Sequence, residues 1–182
     1  VVLPDASPLK NIQKEYDFSA MVPLQLENSI HSLHLIKTLI VGGGVVSINL
    51  QQKIQHTSCT VFATYGMTET ITHVAVKKLN KFKSISSGEI ETSYYEVLPD
   101  IEIYKDQRDC LVIRASKISN NSVFTNDIVR LISDNQFEWL GRFDTVINSG
   151  GVKLHPERIE EKLSKGITTR FFLAGIPDSI LG

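Results

Sequence analysis

The sequence has few cysteines, no excess of either charge and no long apolar run, and each of these absences excludes a class of protein. The two cysteines, Cys59 and Cys110, lie far apart without CxxC spacing, which excludes a disulfide framework and a cysteine-based zinc site. We predict that both are small buried hydrophobic residues. Lys plus Arg (19) nearly balances Asp plus Glu (20), so no basic surface for duplex nucleic acid is indicated.

No uninterrupted apolar run approaches the ~18 residues needed to cross a bilayer, so no membrane span is predicted. The first residues also lack the basic-then-apolar pattern of a signal segment. With 42% apolar and 21% charged residues, the 182-residue chain has the composition of a globular protein. Its length suits one domain, or one domain and a small second one.

Short apolar strands and helical patterns alternate in the first half. A strand at residues 38–41 runs into three glycines at 42–44, and Ser47 is placed to cap a helix of about three turns. A second apolar strand at residues 59–63 leads into the polar turn 65–70. This order predicts a βαβ unit with a parallel sheet, in which ligands gather at the carboxyl ends of the strands.

Shorter apolar runs in the second half predict an antiparallel segment. These runs are residues 94–98, 101–104, 110–114 and 137–140. A hairpin is predicted at residues 146–153, followed by a helix that begins near Pro156 and buries Ile159 and Leu163. Residues 171–175 resemble a further strand.

Residues 65–70 (YGMTET) carry most of the potential chemistry. The Tyr65 ring could stack on a base, a hydroxyl could hold a phosphate oxygen, and the Glu69 carboxylate could hold a hydrated Mg²⁺. The alternative is a capped helix start in which Thr68 or Thr70 is the cap and Glu69 is solvated. Local chemistry leaves both interpretations open.

Three further features each have a functional and a purely structural interpretation. Glycines 42–44 match neither dinucleotide nor Walker patterns, and form either a flat surface for a planar ring or a tight turn. Asp127, in the TND sequence at residues 125–127, is expected at a strand end and could grip a ribose diol. Arg142 could contact phosphate or ribose, or could form only a surface ion pair worth ~0–1 kcal/mol.

Taken in order, these motifs resemble the adenylate-forming superfamily of acyl- and aryl-CoA synthetases, firefly-type luciferases and peptide-synthetase adenylation domains. The motifs are residues 42–44 (GGG), 65–70 (YGMTET), 125–127 (TND), 141–144 (GRFD), 150–153 (GGVK), 156–160 (PERIE) and 176–182 (IPDSILG). The resemblance implies an α/β fold in which residues 1–141 form the later part of a large N-terminal domain. That part would combine a parallel βαβ sheet with a small antiparallel, barrel-like subdomain, and residues 142–182 would begin a small mobile α+β domain.

The resemblance also implies residue roles. The implied nucleotide-binding residues are Gly43, Gly44, Tyr65, Gly66 and Asp127, and the implied catalytic residues are Thr68, Glu69 and Arg142. Gly43 and Gly44 would line the adenine, Tyr65 would stack on it, Thr68 would touch the α-phosphate and Glu69 would hold Mg²⁺. Asp127 would bind the ribose hydroxyls, and Arg142 would contact ribose or phosphate.

For the small domain, the resemblance implies that Asp144 is a hinge and that Gly150 and Gly151 line the tunnel for the pantetheine of CoA. Thr72 and His73 are candidates for contacting an anionic substrate, with strand packing as the alternative for both.

The sequence departs from the superfamily pattern in several places. Asn126 stands where the TGD motif has glycine, and Asn148 stands where a lysine is common. The chain also lacks a Ser/Thr/Gly-rich phosphate loop and the segment that carries the adenylation lysine. We therefore expect a fragment of a longer enzyme that is inactive in isolation.

Within the superfamily, residues 20–26, 70–75 and 146–154 are most similar to bacterial 2-succinylbenzoate–CoA ligases of menaquinone synthesis. The resemblance implies a cytoplasmic ligase that uses Mg²⁺, ATP, CoA and a small carboxylic acid. The alternatives are another acyl- or aryl-CoA ligase, an adenylation domain that loads a carrier protein, and a non-catalytic nucleotide-binding fragment.

Overall fold

A computed structural model of the chain describes residues 5–81, 93–167, 169 and 171–178. These residues form two compact units. The first unit contains the described residues up to 66 and those of 73–94, and the second contains residues 67–72 and the described residues from 95 onward. Residues 179–182 of the last matching motif lie outside the described residues.

The first unit is built on a mixed sheet with strand order β1-β2-β3-β4. The first three strands are parallel and the fourth is antiparallel to β3. The strands are β1 (Tyr16–Met21), β2 (Ile36–Val41), β3 (Thr60–Gly66) and β4 (His73–Lys78). Helix α1 (Pro23–Ser29) and a 3₁₀ segment (Ile30–Leu35) connect β1 to β2, and α2 (Ile48–Lys53) connects β2 to β3. The predicted βαβ arrangement is confirmed.

Helix α2 begins as predicted but ends early. The Ser47 hydroxyl caps it by accepting a hydrogen bond from the Leu50 N–H at 3.2 Å. The helix has 6 residues, fewer than the predicted three turns require. It stops because the Ile54 carbonyl accepts from the Thr57 hydroxyl (2.8 Å) and the Asn80 amide (3.1 Å), which turns the chain toward β3.

The second unit contains an antiparallel sheet with strand order β5-β9-β8-β7-β6. The strands are β5 (Tyr95–Val97), β6 (Glu102–Lys105), β7 (Cys110–Arg114), β8 (Val123–Ser133) and β9 (Gln136–Arg142). Strand β8 was not predicted from the sequence, because its 11 residues mix polar and apolar side chains and pair with β9 in an irregular register. The parallel and antiparallel parts together confirm the predicted α/β fold class.

The hairpin β10 (Ile147–Ser149) and β11 (Val152–Leu154) and helix α3 (Pro156–Leu163) follow the sheet as predicted. Two expectations in this region are wrong. Leu163 is exposed, because α3 approaches β9 through Glu157 and Arg158 instead. Residues 171–175 are not a strand, since the Leu173 N–H donates to the Glu160 carboxylate at 2.6 Å rather than to a neighbouring strand.

Each unit has its own apolar core. Leu39, Val61 and Ile54 are fully buried in the first unit. In the second unit Phe137 is fully buried and stacks on Tyr95 with ring centroids 5.3 Å apart, and burial raises the pKa of the Tyr95 hydroxyl.

Both cysteines are buried, as predicted. Burial raises the pKa of the Cys59 thiol to about 11, and it raises the pKa of the Cys110 thiol as well. Neither thiol has the depressed pKa of a reactive cysteine.

Candidate functional site

The first unit places two of the predicted ligand-binding turns at the ends of neighbouring parallel strands. Residues 42–44 follow β2 and residues 65–66 end β3, and these strands pair with Val41 opposite Ala63. A Cβ atom on Gly42 would lie 2.7 Å from the Thr64 hydroxyl, and Gly43 has a φ of +77°. The turn therefore requires glycine for both close approach and conformation.

The turn after β3 is anchored by Thr70. Its side chain is buried, and its hydroxyl oxygen accepts from the Met67 N–H at 3.1 Å. The same oxygen lies 3.0 Å from the Met67 carbonyl and 2.7 Å from the Thr72 carbonyl. Thr70 therefore has the structural role that the capped-turn alternative assigned to it.

Thr68 and Glu69 differ from Thr70 in every one of these respects. Both are exposed, and within the part of the chain that the structure describes neither side chain forms a hydrogen bond or an ion pair. The anchored turn thus presents one hydroxyl and one carboxylate outward without an internal partner. Such a pair suits an external phosphate and its cation.

Ile71, directly after this turn, has a strained backbone. Its φ is 63° and its ψ is −42°, and the Thr72 N–H donates to the Thr70 carbonyl at 2.6 Å across it. This is a γ-turn of the rare positive-φ kind, and it is occupied by a β-branched residue. The Ile71 side chain is 81% exposed. Strain of this kind costs about 1–3 kcal/mol and clusters at functional sites.

The two candidate substrate residues follow the strained position. Thr72 is exposed and closes the turn, whereas His73 is half-buried at the start of β4 and pairs with Gly66. Their contact with a substrate stays a prediction.

Asp127 lies inside β8, which corrects the expectation that it ends a strand. It is only 8% exposed, and its Oδ1 accepts a hydrogen bond from the indole N–H of Trp139 at 3.0 Å. Trp139 could not be identified from the sequence, because it is adjacent to Asp127 only through the irregular pairing of β8 with β9. This donor fixes one oxygen of a nearly buried carboxylate.

Arg142, at the end of β9, pairs in register with Asp127 across the sheet. Its guanidinium holds Asp144 with two parallel hydrogen bonds, from Nε at 2.9 Å and Nη2 at 3.0 Å. The hydrogen bond from Arg142 lowers the pKa of the Asp144 carboxyl. Asp144, the predicted hinge residue, and Arg142, the predicted contact to phosphate or ribose, therefore form an ion pair in the structure.

Three further glycines impose local constraints. Gly150 and Gly151 form the turn between β10 and β11 with φ of 56° and 82°, which favours glycine. Gly141 has a φ of 140°, and a Cβ atom there would lie 2.5 Å from an oxygen of Glu157. The other Glu157 oxygen accepts from the Thr145 hydroxyl at 2.6 Å, so Gly141 makes room for a link between α3 and the segment after β9.

Among residues 5–81, 93–167, 169 and 171–178 there is no group of three or more His, Cys, Asp or Glu that could hold a metal ion. A Mg²⁺ bound at Glu69 would thus depend on one protein carboxylate, water and ligand phosphates, which is a common arrangement for this ion. Within the same residues, no helix is both long and apolar enough to span a membrane.

Comparison with known proteins gives consistent matches, although no protein-family model matches the chain. The chain is 22% identical over 176 residues to 2-succinylbenzoate–CoA ligase of Escherichia coli (strain K12), covering 88% of this chain and 37% of the ligase. The structure of an acyl-CoA synthetase (AMP-forming)/AMP-acid ligase II-like protein from Dyadobacter fermentans matches with a TM-score of 0.69 and 35% identity. That match covers 100% of this chain and 53% of that protein.

A third match is the o-succinylbenzoate–CoA synthetase of Bacillus subtilis in complex with ATP and magnesium. The TM-score is 0.72 at 18% identity, and the match covers 91% of this chain and 40% of that protein. The chain thus spans about half, or less, of the length of the proteins it matches. In sequence and in fold, this chain is similar to part of the AMP-forming acyl- and aryl-CoA synthetases.

Proposed function

We propose that the protein activates a carboxylic acid with ATP and transfers the acyl group to CoA. In the first step a carboxylate oxygen of the substrate attacks the α-phosphorus of ATP, which forms an acyl-adenylate and releases pyrophosphate. In the second step the CoA thiol attacks the acyl carbon, the thiol proton leaves and AMP is displaced. For the protein, both steps are mainly a matter of positioning and charge stabilisation.

The observation that carries this proposal is the contrast within the turn at residues 67–72. Thr70 is buried and holds the turn, while Thr68 and Glu69 face outward without side-chain partners among the described residues. We assign Thr68 to an oxygen of the α-phosphate and Glu69 to Mg²⁺. Bound there, Mg²⁺ would offset the negative charge of the phosphates.

The remaining assignments rest on sequence motifs and local geometry. Tyr65, Gly43 and Gly44 are proposed to hold the adenine ring. Asp127, whose Oδ1 accepts from the Trp139 indole N–H at 3.0 Å, is proposed to accept hydrogen bonds from the ribose hydroxyls, and Arg142 is proposed to donate to ribose or phosphate. Arg142 is well suited to this role because a guanidinium presents several donors in a fixed plane.

We further propose that residues 142–182 begin a mobile domain that rotates about Asp144 between the two steps. Gly150 and Gly151 would then contact the pantetheine of CoA. A rotation of this kind separates the two half-reactions, so a variant that blocks it should still release pyrophosphate but form no thioester.

Glu69→Ala in the full-length protein tests the central assignment. We expect the rate of carboxylate-dependent ATP–pyrophosphate exchange to fall by at least ~10²-fold, since phosphate charge would lose its cation. The matched control is Glu161→Ala, which removes an exposed carboxylate from α3. Both variants should keep the unfolding temperature of the parent protein. Near-normal exchange by Glu69→Ala would refute the assignment.

The proposed acid is 2-succinylbenzoate, supported by the similarity at residues 20–26, 70–75 and 146–154 and by the names of two matched proteins. Thr72 and His73 are the proposed contacts to its second carboxylate. A panel of aromatic, fatty and amino acids assayed for CoA thioester formation tests this choice, and 2-succinylbenzoate should give the highest kcat/KM. Transfer to a carrier protein in place of CoA would instead support an adenylation domain.

A non-catalytic, nucleotide-binding role is the second candidate, because a turn that presents Thr68 and Glu69 outward suits phosphate binding whether or not turnover follows. Calorimetric titration of the 182-residue chain with ATP and Mg²⁺ separates binding from turnover. Binding without pyrophosphate release would support this candidate for the isolated chain.

A further inference from the structure

Arg108, which no motif singled out, occupies the centre of a polar network in the second unit. It lies in the turn between β6 and β7, where its Nε donates to Asp106 Oδ2 at 2.8 Å and its Nη2 lies 2.7 Å from the same oxygen. Asp106 Oδ1 accepts from the backbone N–H groups of Arg108 (2.8 Å) and Cys110 (3.0 Å). The guanidinium is therefore held in a fixed orientation by its own turn.

The donors of Arg108 also reach the start of β8. Nη1 donates to Asn126 Oδ1 at 3.0 Å, and Nη2 donates to the Thr125 carbonyl at 3.0 Å. The Thr125 hydroxyl donates to the Leu111 carbonyl at 2.8 Å and accepts from the Asp127 N–H at 3.0 Å. The two residues before Asp127 are thus attached to β7 and to the turn that precedes it. The acceptor from Asn126 exists only because this chain has asparagine where the superfamily motif has glycine.

The guanidinium also contacts the segment that follows β9. The Arg108 Cζ atom lies 5.4 Å from the centroid of the Phe143 ring, within the range of a cation–π interaction. Phe143 directly follows Arg142 and begins the 3₁₀ segment Phe143–Thr145. Arg108 therefore touches a neighbour of Asp127 on one side and a neighbour of Arg142 on the other.

We propose that Arg108 is a positioning residue that sets Asp127 and Arg142 relative to each other for nucleotide binding, an inference that rests on the proposed function. The N–H groups of the Arg108 guanidinium hold β8 through hydrogen bonds to Asn126 and Thr125. The face of the guanidinium holds the segment after β9 through its contact with the Phe143 ring. The Asp127 carboxylate and the Arg142 guanidinium then meet the ribose in one geometry. Asn126 is the side-chain acceptor on β8 that matches these donors.

The test uses Arg108→Gln and Arg108→Lys in the full-length protein. Arg114→Gln is the matched control, since Arg114 is an exposed arginine of β7 that pairs only loosely with Glu102 at 3.6 Å. Arg108→Gln should raise the KM for ATP about tenfold, the effect of losing one or two charge-assisted hydrogen bonds, with little change in kcat. It should also reduce the preference for ATP over 2′-deoxy-ATP, which general destabilisation would leave unchanged. Arg108→Lys should give an intermediate KM.

A double-mutant cycle tests whether Arg108 changes the KM for ATP through its hydrogen bond to Asn126. Asn126→Gly should reproduce part of the defect in the parent protein and add nothing in the Arg108→Gln background. Additive defects, complete rescue by lysine, or an Arg108→Gln protein that behaves like Arg114→Gln would overturn the proposal.

Amide hydrogen exchange without nucleotide keeps this inference separate from the proposed function. Arg108→Gln, unlike Arg114→Gln, should accelerate exchange at residues 125–127 and 142–145. If the parent protein does not use ATP, the proposed function fails, and accelerated exchange still supports the positioning of these segments by Arg108. Equal exchange rates at these residues in Arg108→Gln and Arg114→Gln would overturn the positioning role of Arg108.

Discussion

Asn80→Ala should be among the most destabilising single substitutions in the first unit. Asn80 is fully buried just after β4, and its side chain continues the pairing with β3 by accepting from the Val61 N–H at 2.9 Å. Its amide donates to the carbonyls of Ile54 (3.1 Å) and Cys59 (2.8 Å). One side chain therefore joins the end of α2, the start of β3 and the end of β4.

The magnitude follows from the groups that the substitution leaves unpaired. The Ile54 carbonyl keeps the Thr57 hydroxyl at 2.8 Å, so the Val61 N–H and the Cys59 carbonyl bear most of the loss. At about 1–3 kcal/mol for each unsatisfied buried group, the expected cost is about 2–6 kcal/mol. That is a large share of the ~5–15 kcal/mol that stabilises a typical domain.

Urea unfolding followed by circular dichroism measures this cost. Asn28→Ala is the matched control, because Asn28 donates to the Ala6 carbonyl at 2.9 Å but is exposed, and its loss should change the free energy of unfolding by no more than ~0.5 kcal/mol. The Asn80→Asp variant tests the direction in which stability changes with pH. It would set a carboxylate against two carbonyl oxygens, so it should be less stable at pH ~7 than at pH ~4, where the acid is protonated. A loss below ~1 kcal/mol for Asn80→Ala, with an unchanged m-value, would refute the reasoning.

Three further predictions follow from local geometry. Ile71→Gly removes the positive-φ strain and should stabilise the protein by about 1 kcal/mol, seen as a rise in Tm of about 2–4 °C, whereas an unchanged or lower Tm would contradict the strain. In an NMR pH series the Asp144 carboxyl should titrate below the usual range of an aspartic acid, because the hydrogen bond from Arg142 lowers its pKa. The pairing with Arg142 is therefore present in that usual range and is lost as the pH falls through the lowered pKa. Arg142→Gln should move the midpoint back up, and no movement would exclude the pair as the cause. Cys59 and Cys110 should react with a thiol reagent only after unfolding, and fast reaction of the native protein would contradict their burial.

Features that depend on neighbouring residues could be predicted from the sequence. Ser47 was assigned as a helix cap from its position alone, because a cap is made within three residues, and the hydrogen bond to Leu50 confirms it. The order of apolar strands and turns likewise predicted the βαβ unit. The length of α2 was wrong because it is limited by Asn80, which lies 26 residues beyond Ile54.

The missed site residues share the same cause. Trp139 lies 12 residues from Asp127, and Arg108 lies 18 residues from Asn126, so neither contact leaves a periodic or motif signal. The Asp127 position was misjudged because the polar residues of β8 concealed a strand. Thr70 was one of two possible caps, and only the folded turn distinguished it from Thr68.

The hydrogen bond between Trp139 and Asp127 gives the 182-residue chain a built-in optical reporter. Trp139 is the single tryptophan of the chain, so its fluorescence reports one location. Its indole N–H lies 3.0 Å from the carboxylate assigned to the ribose, and a ligand that draws on that carboxylate would alter the polarity around the indole. Emission wavelength and intensity would therefore follow nucleotide occupancy without a label, on a timescale fast enough for stopped-flow measurement.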